Sequence, residues 1–168
     1  MKINHKATFV ATILAVGMFA LARPSASAQV VTGEELKKVT PKSYFYAGQS
    51  APVQERNSAA LKNSAGKFTL AGLVDTSGYS TAIAEKYQGF FITESKITFD
   101  NATLDVGAYG FGFKDGKVFI TNVAGGDLFS VASQRDEQLK HPVPLKFEKT
   151  EGGYRLYSGR NYVTFKTE

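Results

Sequence analysis

The sequence predicts a mainly β protein that forms a small antiparallel barrel, with a β-sandwich as the alternative. From residue 67 onward, short runs of β-branched and aromatic residues alternate with polar residues. Turn residues separate these runs about every 8–12 positions, a spacing typical of all-β domains. Asp115-Gly116 lies between two such runs and provides the positive φ angles of a type I′ hairpin turn. We prefer the barrel because closure would hide the edges of many short strands.

Two short helices are expected besides the strands. The first spans 33–39, where Thr32 and Glu35 fit a capping box and Pro41 follows the last turn. The second is a two-turn helix around residues 79–87, because Tyr79, Ile83 and Tyr87 fall on one helical face.

Two polar stretches are predicted to be loops. Residues 48–66 are rich in Ala, Ser, Asn and charge, and we expect a surface loop there with a weak helix at 55–62. Residues 133–142 predict a second loop with a helical turn. The predicted strands cover 43–46, 68–74, 88–93, 96–99, 103–106, 108–113, 117–123, 127–132, 145–148, 154–157 and 162–165.

The N-terminus has the three parts of a secretory signal peptide. Lys2 and Lys6 precede an apolar run over residues 7–22, and small residues end at Ala28. We expect residues 1–28 to be a signal peptide cleaved before Gln29, leaving 29–168 as a single β-rich domain of 140 residues. An uncleaved N-terminal anchor is the alternative. The apolar run is shorter than the roughly 20 residues that a membrane span needs.

Charge and cysteine content indicate the compartment. Loss of the signal peptide removes three cations and lowers the formal net charge from +5 to +2, which gives no electrostatic case for binding nucleic acid. The chain has no cysteine, so it lacks both disulfides and a lipidation site. A periplasmic or secreted bacterial protein that is not a lipoprotein, with no membrane span after cleavage, is therefore expected.

Composition also excludes several kinds of chemistry. Thiolate catalysis and iron–sulfur clusters need cysteine, which the chain lacks. The only histidine beyond the predicted cleavage site is His141, so neither a catalytic zinc site nor a nucleophile–histidine triad is expected. We predict no metal, no cofactor and no catalytic residues. Whether the protein is an enzyme stays open, and a non-enzymatic domain is favoured.

The strand over 108–113 has an unusual composition. Tyr109, Phe111 and Phe113 point to one face at period 2, while Gly110 and Gly112 occupy the other. Glycine weakens a strand, so either another backbone, a helix or a ligand lies close to that face, or the glycines let a small barrel bend around interior aromatics. We favour the bend. The three aromatic residues are candidate ligand-binding residues.

A second candidate binding patch lies near the C-terminus. It consists of Tyr154, Arg155, Tyr157 and Arg160, in which the rings would provide contact area. The two arginines would provide forked donors for a carboxylate or phosphate.

These observations favour an exported, non-enzymatic β domain that binds a small apolar or amphipathic ligand, or a protein partner in the envelope. One alternative is an envelope hydrolase using a carboxylate pair or Ser64 with Lys67. Another is a structural or inhibitory module that presents loop 48–66 or 133–144 to a partner.

Overall fold

Antiparallel strands make up most of the chain in the computed structural model, which describes residues 28–168. The predicted signal peptide therefore lies outside the described residues, except for Ala28. The two helices are α1 (Gly33–Val39) and α2 (Thr81–Ala84). The strands are β1 (Gln29–Val31), β2 (Ser43–Tyr46), β3 (Gln49–Lys62), β4 (Phe68–Val74), β5 (Gly89–Thr93), β6 (Ile97–Thr98), β7 (Thr103–Leu104), β8 (Gly107–Lys114), β9 (Lys117–Asn122), β10 (Asp127–Ala132), β11 (Gln134–Arg135), β12 (Val143–Thr150), β13 (Gly153–Gly159) and β14 (Asn161–Thr167).

The strands form two antiparallel sheets. The larger has the order β1-β3-β4-β5-β8-β9-β10, with β2 also paired to β3. The second has the order β12-β13-β14-β6-β7, with β11 also paired to β14. No ladder joins the two sheets within residues 28–168, so the expected closed barrel is not found. The physical reason is that β6, β7 and β11 have only two residues each, and β12 lies beside β3 without entering its ladder.

The main core lies between the two sheets and is dominated by phenylalanine. Phe91 of β5 in the larger sheet meets Phe147 of β12 and Phe165 of β14, with ring centroids 6.4 and 6.0 Å apart in edge-on geometry. Phe111 is fully buried in the same cluster. Contacts of this kind between aromatic rings stabilise by about 0.5–1.5 kcal/mol beyond the area they bury.

The predicted loop at 48–66 is wrong. Residues 49–62 form β3, the longest strand, which pairs with β2 through its first half and with β1 and β4 through its second. A register shift between Val53 and Ser58 interrupts the ladder, and this bulge breaks the alternation that marks a strand in sequence. The weak helix predicted at 55–62 is likewise absent. Ala59 and Ala60 are buried in this strand although Ala has little strand propensity, which also obscures the strand in the sequence.

Other elements match closely or differ in detail. α1, β2, β4 and β10 have the predicted bounds, and Asp115 (φ 50°) and Gly116 (φ 70°) both have positive φ, as the hairpin requires. Thr32 precedes α1 in extended conformation, but its side chain makes no capping hydrogen bond. The second helix is a single turn, α2, and residues 133–142 contain β11 but no helical turn.

A second cluster, which we call the tyrosine cluster, lies on the outer face of the larger sheet. It consists of Tyr44, Tyr46, Tyr79 and Tyr87. The rings of Tyr46 and Tyr87 stack with centroids 3.6 Å apart, and the Tyr46 hydroxyl donates to Thr121 Oγ1 at 2.8 Å. The Tyr79 hydroxyl is within hydrogen-bonding distance of the Tyr46 and Gln49 carbonyl oxygens. β2 and the segment after α2 are thereby held against the sheet.

The glycine face of β8 accommodates this cluster. A methyl group at Gly110 would lie 2.5 Å from Tyr46 Cε2, and one at Gly112 would lie 2.5 Å from the Lys86 carbonyl oxygen. Close approach of another backbone, the first of the two explanations, therefore accounts for the glycines. The favoured explanation, bending of a small barrel, does not apply, because no closed barrel is found among residues 28–168.

Substitution of Gly112 tests this close contact. Gly112→Ala should lower the free energy of unfolding by about 1–3 kcal/mol, because the Lys86 backbone must move to make room. Urea denaturation monitored by near-ultraviolet circular dichroism measures the change. Gly152→Ala is the matched control, since nothing lies within 4 Å of its added methyl group. Equal stability of the Gly112 variant and the parent protein would contradict the packing described here.

The tyrosine cluster should make the fold sensitive to alkali. Burial is the main cause that raises the pKa of Tyr44, Tyr46, Tyr79 and Tyr87 above the ordinary value of 10.0. The folded state therefore binds more protons than the unfolded chain at high pH. Its stabilisation is fully present below about pH 10 and is lost as the pH rises through the raised values.

Urea midpoints measured at increasing pH, beside the absorbance of tyrosinate, test this expectation. Tyr87→Phe serves as the comparison, because the fully buried Tyr87 hydroxyl has no hydrogen-bond partner of good geometry. We expect this variant to match the parent at neutral pH and to lose stability less steeply above about pH 10. Ionisation of all tyrosines near pH 10 with the fold intact would refute the prediction.

Candidate functional site

The outer face of the second sheet carries the most distinctive group of polar side chains. Strand alternation directs Leu156 of β13 and Val163 of β14 into the main core, so their neighbours along each strand point outward. Strand register then brings the outward residues together in two rows. In one row, Tyr157 lies between its partners Lys146 and Tyr162. In the other, Arg155 lies between its partners Glu148 and Thr164. We define the outer patch as Lys146, Glu148, Arg155, Tyr157 and Tyr162.

Arg155 is held in the middle of the outer patch. Its guanidinium carbon lies 4.4 Å from the centroid of the Tyr162 ring, and its Nη1 donates to the Tyr157 hydroxyl at 3.3 Å. This hydrogen bond raises the pKa of Arg155 further, so the group stays charged. Its Nε is enclosed and makes no hydrogen bond, and Nη2 makes none either. The Nε–Nη2 edge of the fork therefore has no acceptor among the described residues.

The neighbouring charges in the outer patch already have partners. Lys146 Nζ lies 2.7 Å from Glu148 Oε2 and 4.3 Å from the centroid of the Tyr157 ring. No carboxylate oxygen within residues 28–168 comes within 4.0 Å of the Arg155 guanidinium. The charges of Lys146 and Glu148 offset each other, which leaves Arg155 as the net positive charge of the outer patch.

The segment around β11 supports the outer patch from one side. The Tyr157 hydroxyl donates to Asp136 Oδ2 at 3.1 Å, and the Tyr162 hydroxyl donates to Gln134 Oε1. Burial, as the largest cause, raises the pKa of Tyr157 and keeps it protonated as a donor. Arg160 Nη1 donates to the carbonyl oxygens of Asp136 and Glu137, at 3.3 and 3.2 Å, and so fixes this segment.

The structure separates the sequence-predicted residues into different environments. Arg155 and Tyr157 lie together in the outer patch, and Arg160 lies at its edge in contact with the β11 segment. Tyr154 is buried in the main core, 5.8 Å from Phe165 between ring centroids, and does not join the outer patch. Sequence reasoning missed five residues, which only strand register and the path of β11 bring to the outer patch: Lys146, Glu148, Tyr162, Gln134 and Asp136.

The aromatic residues of β8 belong to the main core. Phe111 is fully buried, and Tyr109 and Phe113 are partly buried against the same cluster. The Tyr109 hydroxyl donates to the Asp105 carbonyl oxygen at 3.0 Å. These three residues lie in the other sheet and do not contribute to the outer patch.

Two surface grooves run along the free side of β14. One, of about 270 Å³, is lined by Phe99 and Phe165 together with more polar residues; the other, of about 290 Å³, includes Val131 and Val163. Asp100 and Thr164 line both grooves, so the grooves meet at this point.

The residues named for hydrolysis lie apart from these features. Ser64 and Lys67 are exposed in the turn between β3 and β4, where the buried Asn63 accepts hydrogen bonds from the backbone of Ala65 and Lys67. In the part of the chain that the structure describes, no group of three or more His, Cys, Asp or Glu side chains could hold a metal ion. Over the same residues, no helix is long and apolar enough to span a membrane.

Comparisons with known proteins add no relative. No protein-family model matches the chain, no curated sequence is significantly similar to it, and no solved structure matches its fold. The geometry of the outer patch and of the grooves is therefore the basis for any functional proposal.

Proposed function

We propose that this protein is an exported, non-catalytic β domain that binds a carboxylate-bearing amphipathic ligand at the outer patch. The single observation that carries the proposal is Arg155. Its guanidinium is stacked on one tyrosine and hydrogen-bonded to another, while its Nε–Nη2 edge has no acceptor. Of these two donors only Nη2 is exposed, and it can donate a charge-assisted hydrogen bond to a carboxylate oxygen.

Charge and surroundings favour a carboxylate over a phosphate dianion. Glu148, the cross-strand neighbour of Arg155, would repel a doubly charged group more than a single negative charge. The ring of Tyr162 holds the guanidinium plane in place, so little side-chain entropy is lost when the fork is occupied. The amphipathic part of the ligand would lie along the adjacent grooves, whose lining includes Phe165 and Val163.

The location is part of the same proposal. The basic start, the apolar run and the small residues before Gln29 support export by a signal peptide. The absence of cysteine supports a periplasmic or secreted bacterial protein without a lipid anchor. Binding without catalysis agrees with the single histidine that follows the predicted cleavage site.

Replacement of Arg155 tests the proposed site. We expect hexanoate to cause saturable shifts of the backbone amide resonances of Arg155, Tyr157 and Tyr162 in heteronuclear NMR, and hexan-1-ol to cause none. Arg155→Gln should weaken hexanoate binding at least about tenfold, the effect of losing a charge-assisted hydrogen bond. Arg155→Lys, which keeps the charge but loses the fork, should also weaken it.

Arg135→Gln is the matched control. Arg135 is exposed and already pairs with Glu137, at 2.7 Å, so its loss should leave hexanoate binding unchanged. Retention of the parent's spectral dispersion shows that each variant is folded. Equal binding of hexanoate by the Arg155→Gln variant, equal binding of hexan-1-ol, or no binding at all would overturn the proposal.

A further inference from the structure

One short part of β14 has no strand beside it. β11 pairs with β14 at Tyr162, opposite Gln134, and β6 pairs with it at Lys166, opposite Thr98. The three residues between these pairs, 163–165, have a partner on β13 only. Four residue steps along an antiparallel strand span roughly 14 Å, so three residue positions of β14 lie between the two flanking pairs.

The register shows which backbone groups face this opening. The Asp136 amide donates to the Arg160 carbonyl oxygen at 2.9 Å, and the Glu168 amide donates to the Lys96 carbonyl oxygen at 3.0 Å. Backbone groups alternate between the two edges of a strand, so Arg160, Glu168 and every second residue between them face this edge. Tyr162 and Lys166 are two of these residues and have strand partners. Thr164 is the third and has none, so its N–H and C=O point into the opening.

The path of the chain on either side keeps the opening free. After β6, the Phe99 amide donates to the Ala102 carbonyl oxygen at 2.8 Å, and this turn carries the chain away before it can pair with Thr164. Before β11, the Ser133 amide donates to the Gly116 carbonyl oxygen at 2.8 Å, which keeps the end of β10 in the larger sheet. The opening is therefore a consequence of strand crossing between the sheets.

The two grooves lie on either side of Thr164, where the inward side chains of an added strand would enter. In an antiparallel strand laid on β14, the residues opposite Phe165 and Val163 would point inward, as those two residues do. Phe165 lines one groove and Val163 lines the other. The central residue of the added strand, opposite Thr164, would point outward. Arg155, the register partner of Thr164 on β13, lies on the same face.

We propose that this opening binds a short extended peptide of three residues, apolar–acidic–apolar, as an added strand. The central residue makes both backbone hydrogen bonds with Thr164, and the apolar side chains enter the two grooves. The central carboxylate meets Arg155, whose guanidinium already lies over Tyr162 of β14. This last contact rests on the proposed function, whereas the backbone contact with Thr164 is independent of it.

A short peptide, rather than a long segment of a protein, fits the opening. β11 and β6 close it at both ends, so a longer chain would have to bend outward at each side. Among the groove residues, Lys166 at the β6 end is positively charged and Asp100 at the junction is negatively charged. A peptide that lies antiparallel to β14 has its N-terminus at the β6 end and its C-terminus at the β11 end. The contacts proposed here do not involve the charge of either peptide terminus.

Backbone methylation of the peptide tests the contact without altering the protein. The probe is acetyl-Leu-Glu-Leu-amide, titrated into isotope-labelled protein and followed by NMR. We expect the Thr164 amide resonance to move to lower field on binding. N-methylation of the central Glu removes the hydrogen bond to the Thr164 carbonyl oxygen and should weaken binding at least about tenfold. N-methylation of the last Leu, whose N–H points away from β14, should leave binding within about twofold.

Further arms separate this inference from the proposed function. Binding of both methylated peptides with equal affinity, or no binding of the parent peptide, would overturn the added strand. The central methyl group could block binding while the Arg155→Gln variant still binds the parent peptide equally well and the parent protein binds acetyl-Leu-Gln-Leu-amide equally well. That result would support the added strand and contradict the role of Arg155. If hexanoate binds and the peptide does not, the proposed function is retained and the peptide is excluded. Binding only of a longer peptide with the same centre would identify a protein segment and overturn the short ligand.

Discussion

The packing of Phe165 against Phe91 joins the two sheets, and the other features of β14 depend on it. With no ladder between the sheets, side-chain contacts across the core hold them together. Phe165 also contacts Phe147 of β12, Tyr154 of β13 and Phe99, which follows β6, so one side chain of β14 joins two other strands of its own sheet and the turn after a third. A strand anchored in this way on its inner face has outer residues in well-defined positions, which is what a binding site requires.

The same reasoning explains why the larger sheet can carry a layer on its outer face. Gly110 and Gly112 remove side chains from that face of β8, and Tyr46, Tyr87 and the Lys86 backbone occupy the space. The tyrosines bring hydroxyl groups into this layer, and the Tyr46 hydroxyl is satisfied by Thr121 of β9. The cluster thus ties β2 and the segment after α2 to the sheet by both packing and hydrogen bonding.

Elements that are specified by residues close together in the sequence could be predicted. The Asp115-Gly116 turn, α1 and the strands over 43–46 and 68–74 depend on neighbouring residues, and the structure has them as predicted. β3 could not be recognised, because Ala, Ser and Asn have little strand propensity and its bulge interrupts the alternation of buried and exposed residues. The glycine pattern did indicate a close contact, but the sequence could not identify Lys86 as the partner or exclude the bend.

The candidate site was predictable in one strand only. Arg155 and Tyr157 stand two residues apart, so alternation alone places them on one face of β13. Tyr162 and Lys146 join the outer patch through strand pairing, and Asp136 contacts Tyr157 from a segment expected to be a loop with a helical turn. Thr164 gives no signal at all in the sequence, since its importance lies in the absence of a strand beside it.

Arg155 differs from the other cations of the described chain in a way that bears on function. Exposed lysines such as Lys37 pair with carboxylates at the surface, where water would solvate either charge equally well and the pair contributes little. Arg155 is partly enclosed by Tyr157 and Tyr162, and an enclosed donor without an acceptor costs about 1–3 kcal/mol. Removing that cost requires an acceptor that reaches the enclosed Nε as well as Nη2 on binding. The free energy recovered in this way would contribute to the affinity for an anionic group. This binding requires no catalysis.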